Sequence, residues 1–463
     1  MQKFKQKSFR CYNLTKSVIS SYVLPKNLDE LRITLKEAKN QNYNITLKAG
    51  GNSYSDTFLG TKKLLVDVSK LNSIKSFDDS NGIIVVEPGV RIGIILQHIM
   101  PKNWGLVGLS GSVMDQIGGM LSSNTHGKDT WKNGNFSQNI LSCKILLADG
   151  TVEEITKDKN SKLFNGVIGG LGFLGIIIEI TMKLTAIPSY MVQSSRKKIQ
   201  NLDGLINHFF TLEKSETDFS YALLDPFVSE HQYGRGLCES AKYIDSKNCD
   251  TSIFEKNLSP RKKIFSLKPK IFWSIVRPFW NNSSSSFLNK LKYMRSSNSF
   301  SHQQILPFPK IQYAYSDLPN FNLLYSPLGF FELQSLFPKK DVFPAFNQLL
   351  SLSKIFKCQP WVCMIKRHKP DSSYLSFAGD GLSIAMNFPL NHLNSEKQKQ
   401  YSDKLYEIIL NNNGKIYIAK HSLIRDDIFH LMYPNYKDML NLKEKYDPNN
   451  LFNSDATDRL LKI

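Results

Sequence analysis

Residues 48–56 place two adjacent glycines, Gly50 and Gly51, before Asn52, Ser53, Tyr54, Ser55 and Asp56. Glycines admit positive φ and let a backbone approach a ligand closely. Consecutive N–H groups in such a turn make an anion-binding nest. Taken alone, the pair marks a tight surface turn at least as readily. The wider distribution shifts the balance, because 19 of the chain's 26 glycines fall between Gly50 and Gly175. A second cluster holds Gly105, Gly108, Gly111, Gly118, Gly119, Gly127 and Gly134, and a third holds Gly166, Gly169, Gly170, Gly172 and Gly175. Three such clusters separated by strands imply loops that converge on one extended ligand. A dinucleotide fits, since backbone N–H groups can approach its many phosphate oxygens. Neither GxGxxG between a strand and a helix nor GxxxxGK[ST] is present, so another architecture must hold it.

Two lysines have a second kind of chemistry open to them. Lys420 follows the apolar residues 416–419, and Lys366 follows residues 362–365. Burying an unpaired lysine costs several kcal/mol. Each therefore either snorkels to solvent at a strand end or serves as a cation or base in a pocket. His126 stands between Thr125 and Gly127, a small polar setting rather than an apolar face.

The elements that must carry these residues read as mixed α and β. Residues 44–47 and 64–68 read as strands on either side of the first glycine turn. A helix should open after Pro25, with Asn27 as its N-cap and Asp29 and Glu30 in the first turn. Residues 83–90 read as a buried strand stopped by Pro88 and Gly89, with a helix across 92–100. Residues 140–149 form a strand ending in Asp149-Gly150, a hairpin signal. The third glycine cluster runs into an apolar strand at 176–180. The fold class is α+β.

A chain of 463 residues with 41% hydrophobic and 21% charged residues is globular and suggests two or three domains. The six cysteines lack CxxC or zinc spacing, so free thiols are expected and no metal. The basic N-terminus has no apolar run behind it, and no segment reaches the roughly 18 apolar residues of a membrane span. The expected location is the cytoplasm or a membrane surface. The net charge of +19 favours an anionic partner. Residues 256–295 concentrate it, with ten Lys or Arg and no Asp or Glu. Phe265, Phe272, Trp273, Phe279, Trp280, Phe287 and Tyr293 are interleaved, and Ser283–Ser286 reads as a flexible tract. A solvated loop, nucleic-acid binding and a membrane-surface segment are the readings. No nucleic-acid motif accompanies the stretch, which favours the membrane surface.

Residues 48–56, 110–119, 125–129 and 169–175 resemble the FAD domain of the vanillyl-alcohol oxidase / p-cresol methylhydroxylase superfamily. Residues 381–389, 414–420, 432–434, 446–448 and 451–455 are similar, in order and spacing, to the branch that oxidises polyprenylphosphoryl pentoses. The resemblance implies a p-cresol methylhydroxylase-type FAD-binding domain of two α/β subdomains over residues 10–190, completed by 416–463. A substrate domain with an antiparallel sheet and flanking helices would span 191–415 and carry the basic insert. The resemblance places Lys420, Lys366, His126, Gln334 and Tyr54 in the catalytic site. It places Gly50, Gly51, Asn52, Ser53, Tyr54, Gly111, Gly118, Gly119, Ser122, His126, Gly127, Ile177 and Tyr417 around FAD. Covalent members have a His near the first turn, and Asn52 cannot form that bond, so dissociable FAD is expected. Ala385 departs from the branch, which has a Cys there.

The implied reaction is oxidation of a sugar hydroxyl at C2 of a lipid-linked pentose, the first half of an epimerisation completed by a short-chain dehydrogenase partner. The alternatives are a soluble aldonolactone or alditol oxidase and a non-catalytic flavin or glycolipid-binding protein at a membrane.

Overall fold

The computed structural model of the chain describes residues 4–246, 251–259, 261–296, 303–390 and 395–462. Cys249 and Pro260 lie outside the described residues. The first sheet contains β1 (Lys5–Arg10), β2 (Ser17–Val23), β3 (Ile45–Lys48) and β4 (Leu64–Asp67), in the order β1-β2-β4-β3. β4 is parallel to both neighbours, so the chain must cross over between β2 and β3. The helix Leu28–Asn40 makes that crossing. It starts where expected, with Asn27 Oδ1 accepting from the Glu30 N–H at 2.9 Å. It buries Leu31, Leu35 and Ala38, at the i, i+4, i+7 spacing of one helix face.

The second sheet adds β5 (Ile74–Asp78) and β6 (Ile83–Val86). A short ribbon strand β7 (Trp104–Gly105) comes next, then β8 (Ile140–Leu146), β9 (Val152–Thr156) and β10 (Ile176–Lys183). β11 (Thr185–Ala186) pairs with β7, and the order of the sheet is β5-β6-β10-β8-β9. The Asp149-Gly150 turn joins β8 to β9, with Gly150 at φ 96°. The apolar core beneath this sheet is continuous with that of the third.

The third sheet has eight strands. In chain order they are β12 (Met191–Ile199), β13 (Phe219–Leu224), β14 (Gly236–Tyr243), β15 (Gln303–Pro307), β16 (Phe330–Pro338), β17 (Val362–His368), β18 (Gly381–Pro389) and β19 (Lys415–Ile416). Their order is β15-β12-β14-β13-β17-β18-β16-β19, and the ladders are antiparallel. Helices such as Val342–Ile355 pack on one face through Val342, Ala345, Phe346, Leu349 and Leu350. After β19 the chain returns to the first sheet, where Phe452 bridges Ile45 in parallel.

Two local expectations need correction. Lys420 does not end a strand. β19 stops at Ile416, and residues 418–420 form a 3₁₀ turn. The Ala419 carbonyl accepts from the Tyr54 N–H at 3.1 Å and from Ser53 Oγ at 2.8 Å, which draws the chain off the sheet. Ser283–Ser286 is not a flexible tract but the first turn of the helix Asn282–Arg295. Asn281 caps that helix, accepting from the Ser283 and Ser284 N–H groups while Ser284 Oγ closes a capping box.

Candidate active site

The glycine loops meet each other before they meet any ligand. Gly51 sits at φ 69°, where a side chain is strained and a Cβ would lie 2.9 Å from Lys48 Cε. Asn52 Nδ2 donates to Asp115 Oδ1 at 2.7 Å, tying the first loop to the second. A Cβ on Gly119 would lie 3.4 Å from Ala49 Cβ, so the same two loops also touch through small residues. The third loop joins through Gly169 N–H to Leu121 O and Leu171 N–H to Ser122 O. The 417–420 turn closes the ring, with Tyr417 OH donating to Ser123 O at 2.9 Å. Buried Gln116 Oε1 and His126 Nδ1 have no hydrogen-bond partner in the protein, and a Cβ on Gly111 would point into open space. Close-packed glycine loops with buried, unsatisfied polar atoms among them suit a polar, extended cofactor such as FAD.

Other members of the expected cofactor set have structural duties. Gly118 donates its N–H to Pro88 O at 2.8 Å, and a Cβ there would lie 2.6 Å from Pro88 Cβ. Gly127 donates to Thr130 Oγ1 at 2.7 Å, and its missing Cβ admits Asp129 and Leu109. Ile177 lies beside the bulge in β10, within the main apolar core.

The expected catalytic residues converge on one face of the third sheet. Cross-strand partners share a face, and residues two apart on a strand share it too. Gln334 pairs with Ala385, Ala385 with Met364, Ser383 with Lys366, and Glu332 with Asn387. Ala385, Met364, Val362 and Lys366 keep partial exposure in the middle of an eight-stranded sheet, so solvent reaches this face, termed the cleft face below. Lys420 reaches it from the turn. Its ammonium lies 3.3 Å from Glu332 Oε1 and 3.4 Å from the centroid of the Tyr54 ring. That combined ion pair and cation–π contact fixes the cation.

His126 sits in an aromatic box, 4.8 Å from His368, 5.1 Å from Tyr417 and 5.6 Å from Phe377 between ring centroids. Burial, with the charges of Lys366, His368 and Lys420, holds its pKa well below the ordinary histidine value, so it is neutral at working pH. Gln334 nearby pulls it weakly the other way. Gln334 Nε2 also lies 3.5 Å from Ser383 Oγ, which meets His368 Nε2 at 2.8 Å. Burial, with Lys366 nearby, pushes His368 down to about 3. Lys366 itself is pushed down to about 8, by burial first and the Lys420 charge second, against the pull of Glu332 and Asp129. Lys128, buried behind it over the Tyr221 ring, is pushed down to about 7. Asp129 is pushed up to about 6 by burial.

Sequence reasoning missed Glu332, Ser383, His368 and Lys128 as site members. The available signal was the strand period. Glu332 and Gln334 alternate along β16, and Lys366 and His368 along β17, as polar residues inside otherwise apolar strands. Only the ladder register shows that these strands aim the same face at one cleft.

The geometry offers a fixed cation, a lysine with a titration near neutrality and a neutral histidine beside a cradle for a dinucleotide. The comparisons with known proteins agree with it. Residues 19–156 match a model described as an FAD binding domain. The chain is similar to decaprenylphosphoryl-beta-D-ribose oxidase of Mycolicibacterium smegmatis, 24% identical over 93% of this chain and 92% of that protein. Over 39% of this chain it is 31% identical to D-arabinono-1,4-lactone oxidase of Yarrowia lipolytica, covering 34% of that protein. Over 42% of this chain it is 28% identical to L-gulonolactone oxidase of Bos taurus, covering 43% of that protein. The Physcomitrella patens BBE-like 1 structure shares the fold over 100% of this chain and 98% of its own, with a TM-score of 0.69 at 17% identity. The FAD binding domain and the oxidases it is similar to mark this chain as an FAD-dependent oxidoreductase, and sequence, fold and cradle all fit the vanillyl-alcohol oxidase / p-cresol methylhydroxylase superfamily.

Proposed function

We propose that this oxidoreductase converts a secondary sugar hydroxyl to a ketone, with C2 of a polyprenylphosphoryl pentose as the substrate position. The observation that carries the reading is the pair of lysines on the cleft face. Lys420 is held in position by Glu332 and Tyr54, while burial holds Lys366 near 8. FAD, when bound, supplies the acceptor for the hydride lost from the carbinol carbon. Lys420 orients the hydroxyl oxygen and stabilises negative charge growing on it. Lys366, in its neutral form, takes the hydroxyl proton. One C–H and one O–H bond break, a C=O bond forms, and the proton rests on Lys366 Nζ. His126 stays neutral and offers Nδ1 for a hydrogen bond to cofactor or substrate.

The flavin is held without a covalent bond, by the 48–56 loop, residues 110–119, His126 and Tyr417. Asn52, engaged by Asp115, offers no ring nitrogen for a flavin bond. Ala385 leaves room between Gln334 and Met364 where the polyprenylphosphoryl-pentose branch has a larger Cys. That room changes the fit of the sugar and leaves the flavin cradle alone. The ketone product suits reduction by a short-chain dehydrogenase partner, giving net epimerisation. Partial similarity to aldonolactone oxidases keeps a free lactone as the competing substrate.

Acid precipitation of the purified holo-protein, followed by turnover assays, tests this. Flavin should move to the supernatant, and a polyprenylphosphoryl pentose should be oxidised faster than a free aldonolactone. Colour retained in the pellet would refute the non-covalent assignment, and preference for the lactone would refute the lipid-phosphate substrate.

A further inference from the structure

We infer that residues 261–295 form a docking surface for an anionic lipid bilayer and that this surface borders the active-site cleft. The inner side of the segment is anchored. Trp273, on the helix Pro269–Val276, is buried, and its Nε1 donates to Pro319 O at 2.9 Å. Trp273 belongs to a cluster with Tyr325, Phe330 and Trp361, against which Phe272, Val276, Trp280, Phe227 and Tyr54 pack. Tyr54 is the ring beneath Lys420, so this cluster spans the distance between helix and site.

The outer side is built the opposite way. Ile271 and Ile275, one turn apart, are exposed, and Phe279 follows at the same spacing, 76% exposed. Phe265 is 87% exposed and lies 6.1 Å from Phe272, which joins it to the helix. It stands on a turn in which both Phe265 (φ 43°) and Ser266 (φ 65°) are left-handed. Such conformations are costly for residues other than Gly, Asn or Asp, and they persist where a segment has a task. On the next helix Phe287, Lys290 and Met294 repeat the mixture, with Phe287 and Met294 exposed.

Residues 261–295 carry nine Lys or Arg and no Asp or Glu. Soluble surfaces rarely gather large apolar side chains in this way. Aromatic and aliphatic groups interleaved with cations suit the interfacial zone of a membrane, and the missing acids suit anionic headgroups. Apolar lining also runs inward. Leu223 pairs with Met364 on the cleft face, and both are partly exposed. A lipid-linked substrate, which rests on the reading proposed above, would then reach the cleft without leaving the bilayer.

Co-sedimentation of the holo-protein with phosphatidylcholine vesicles, with and without phosphatidylglycerol, tests the surface independently of any substrate. Wild type should partition onto the anionic vesicles and release as salt rises. A triple variant Phe265→Ser, Ile275→Ser, Phe279→Ser should bind at least about tenfold more weakly, as should Lys262→Glu, Lys263→Glu, Lys268→Glu. Both variants should keep the flavin spectrum and the turnover of a short-chain water-soluble substrate. Absence of wild-type binding to anionic vesicles would overturn the proposal, as would equal binding by wild type and the charge-reversed variant. Retention of a single-stranded oligonucleotide or an acidic protein without vesicle binding would assign the face to another partner. Loss of vesicle binding with turnover intact would leave the proposed function standing, so the two can fail separately.

Discussion

Lys366→Met should slow flavin reduction by about 10²–10³-fold while leaving FAD bound, because general-base catalysis contributes about 10²–10⁴-fold. The wild-type rate should rise as pH passes about 8, where Lys366 loses its proton, and then level off. The variant should lack that limb. Lys366→Arg keeps the charge but cannot deprotonate, and it should fail as badly. The nearby groups titrate elsewhere, with Lys128 near 7 and Asp129 near 6, so a surviving limb near 8 would exclude Lys366 as the base. Stability gives a second readout. The folded pKa of Lys366 lies below its unfolded value of 10.5, so the unfolded chain binds more protons between about 8 and 10.5 and stability rises with pH there. At pH 7 the methionine variant no longer has to charge a lysine in the cleft, and its Tm should not fall.

Asp447→Ala should destabilise the protein by about 3–5 kcal/mol, the range for breaking one half of a buried ion pair. Lys443 and Asp447 are 2.7 Å apart, with side chains 3% and 0% exposed. Lys443 also donates to Phe173 O at 2.9 Å and to Phe452 O, and it lies 4.1 Å from the Phe173 ring. Asp447 accepts from the Leu451 and Phe452 N–H groups, each at 2.8 Å. This knot ties the third glycine loop, through Phe173, to the returning chain at Phe452, and through Phe452 to β3. The alanine variant leaves a buried ammonium and two amides unsatisfied, and FAD affinity should fall with stability. Burial holds Lys443 near 8 even with its partner. Without Asp447 the lysine drops further, so the charge part of the loss is largest at acidic pH, where Lys443 is protonated in both folded proteins, and has gone well above about 8, where it is neutral in both. Denaturant unfolding at pH 7 and pH 9 measures it. A loss below about 0.5 kcal/mol, typical of a surface site, would contradict this account.

How much of this was legible in the sequence depends on the range of the interaction. Asn27 as a cap, the Asp149-Gly150 hairpin and the helix after Gly89 follow from contacts within a few residues, and all three stand. The convergence of the glycine loops was readable as a tendency, since backbone that must approach a ligand closely needs glycine. The duties of single glycines were not. Gly118 and Gly127 serve packing against Pro88 and Leu109, partners far off in the chain. Lys366 and Lys420 stood out because a lysine after an apolar run is anomalous. Glu332 did not, because its meaning comes from Lys420, 88 positions later. The turn at 418–420 was misjudged as strand for the same reason. Its shape is set by Ser53 and Tyr54, which hold the Ala419 carbonyl.

Anaerobic titration of the holo-protein with a polyprenylphosphoryl pentose, followed through the visible flavin band and by analysis of the sugar, tests the central claim most directly. The account predicts that the band bleaches as one equivalent of substrate is consumed and that the sugar is recovered as its 2-ketone. A band that persists with the pentose and with aldonolactones alike would contradict it, and would leave a flavoprotein whose cleft binds without oxidising.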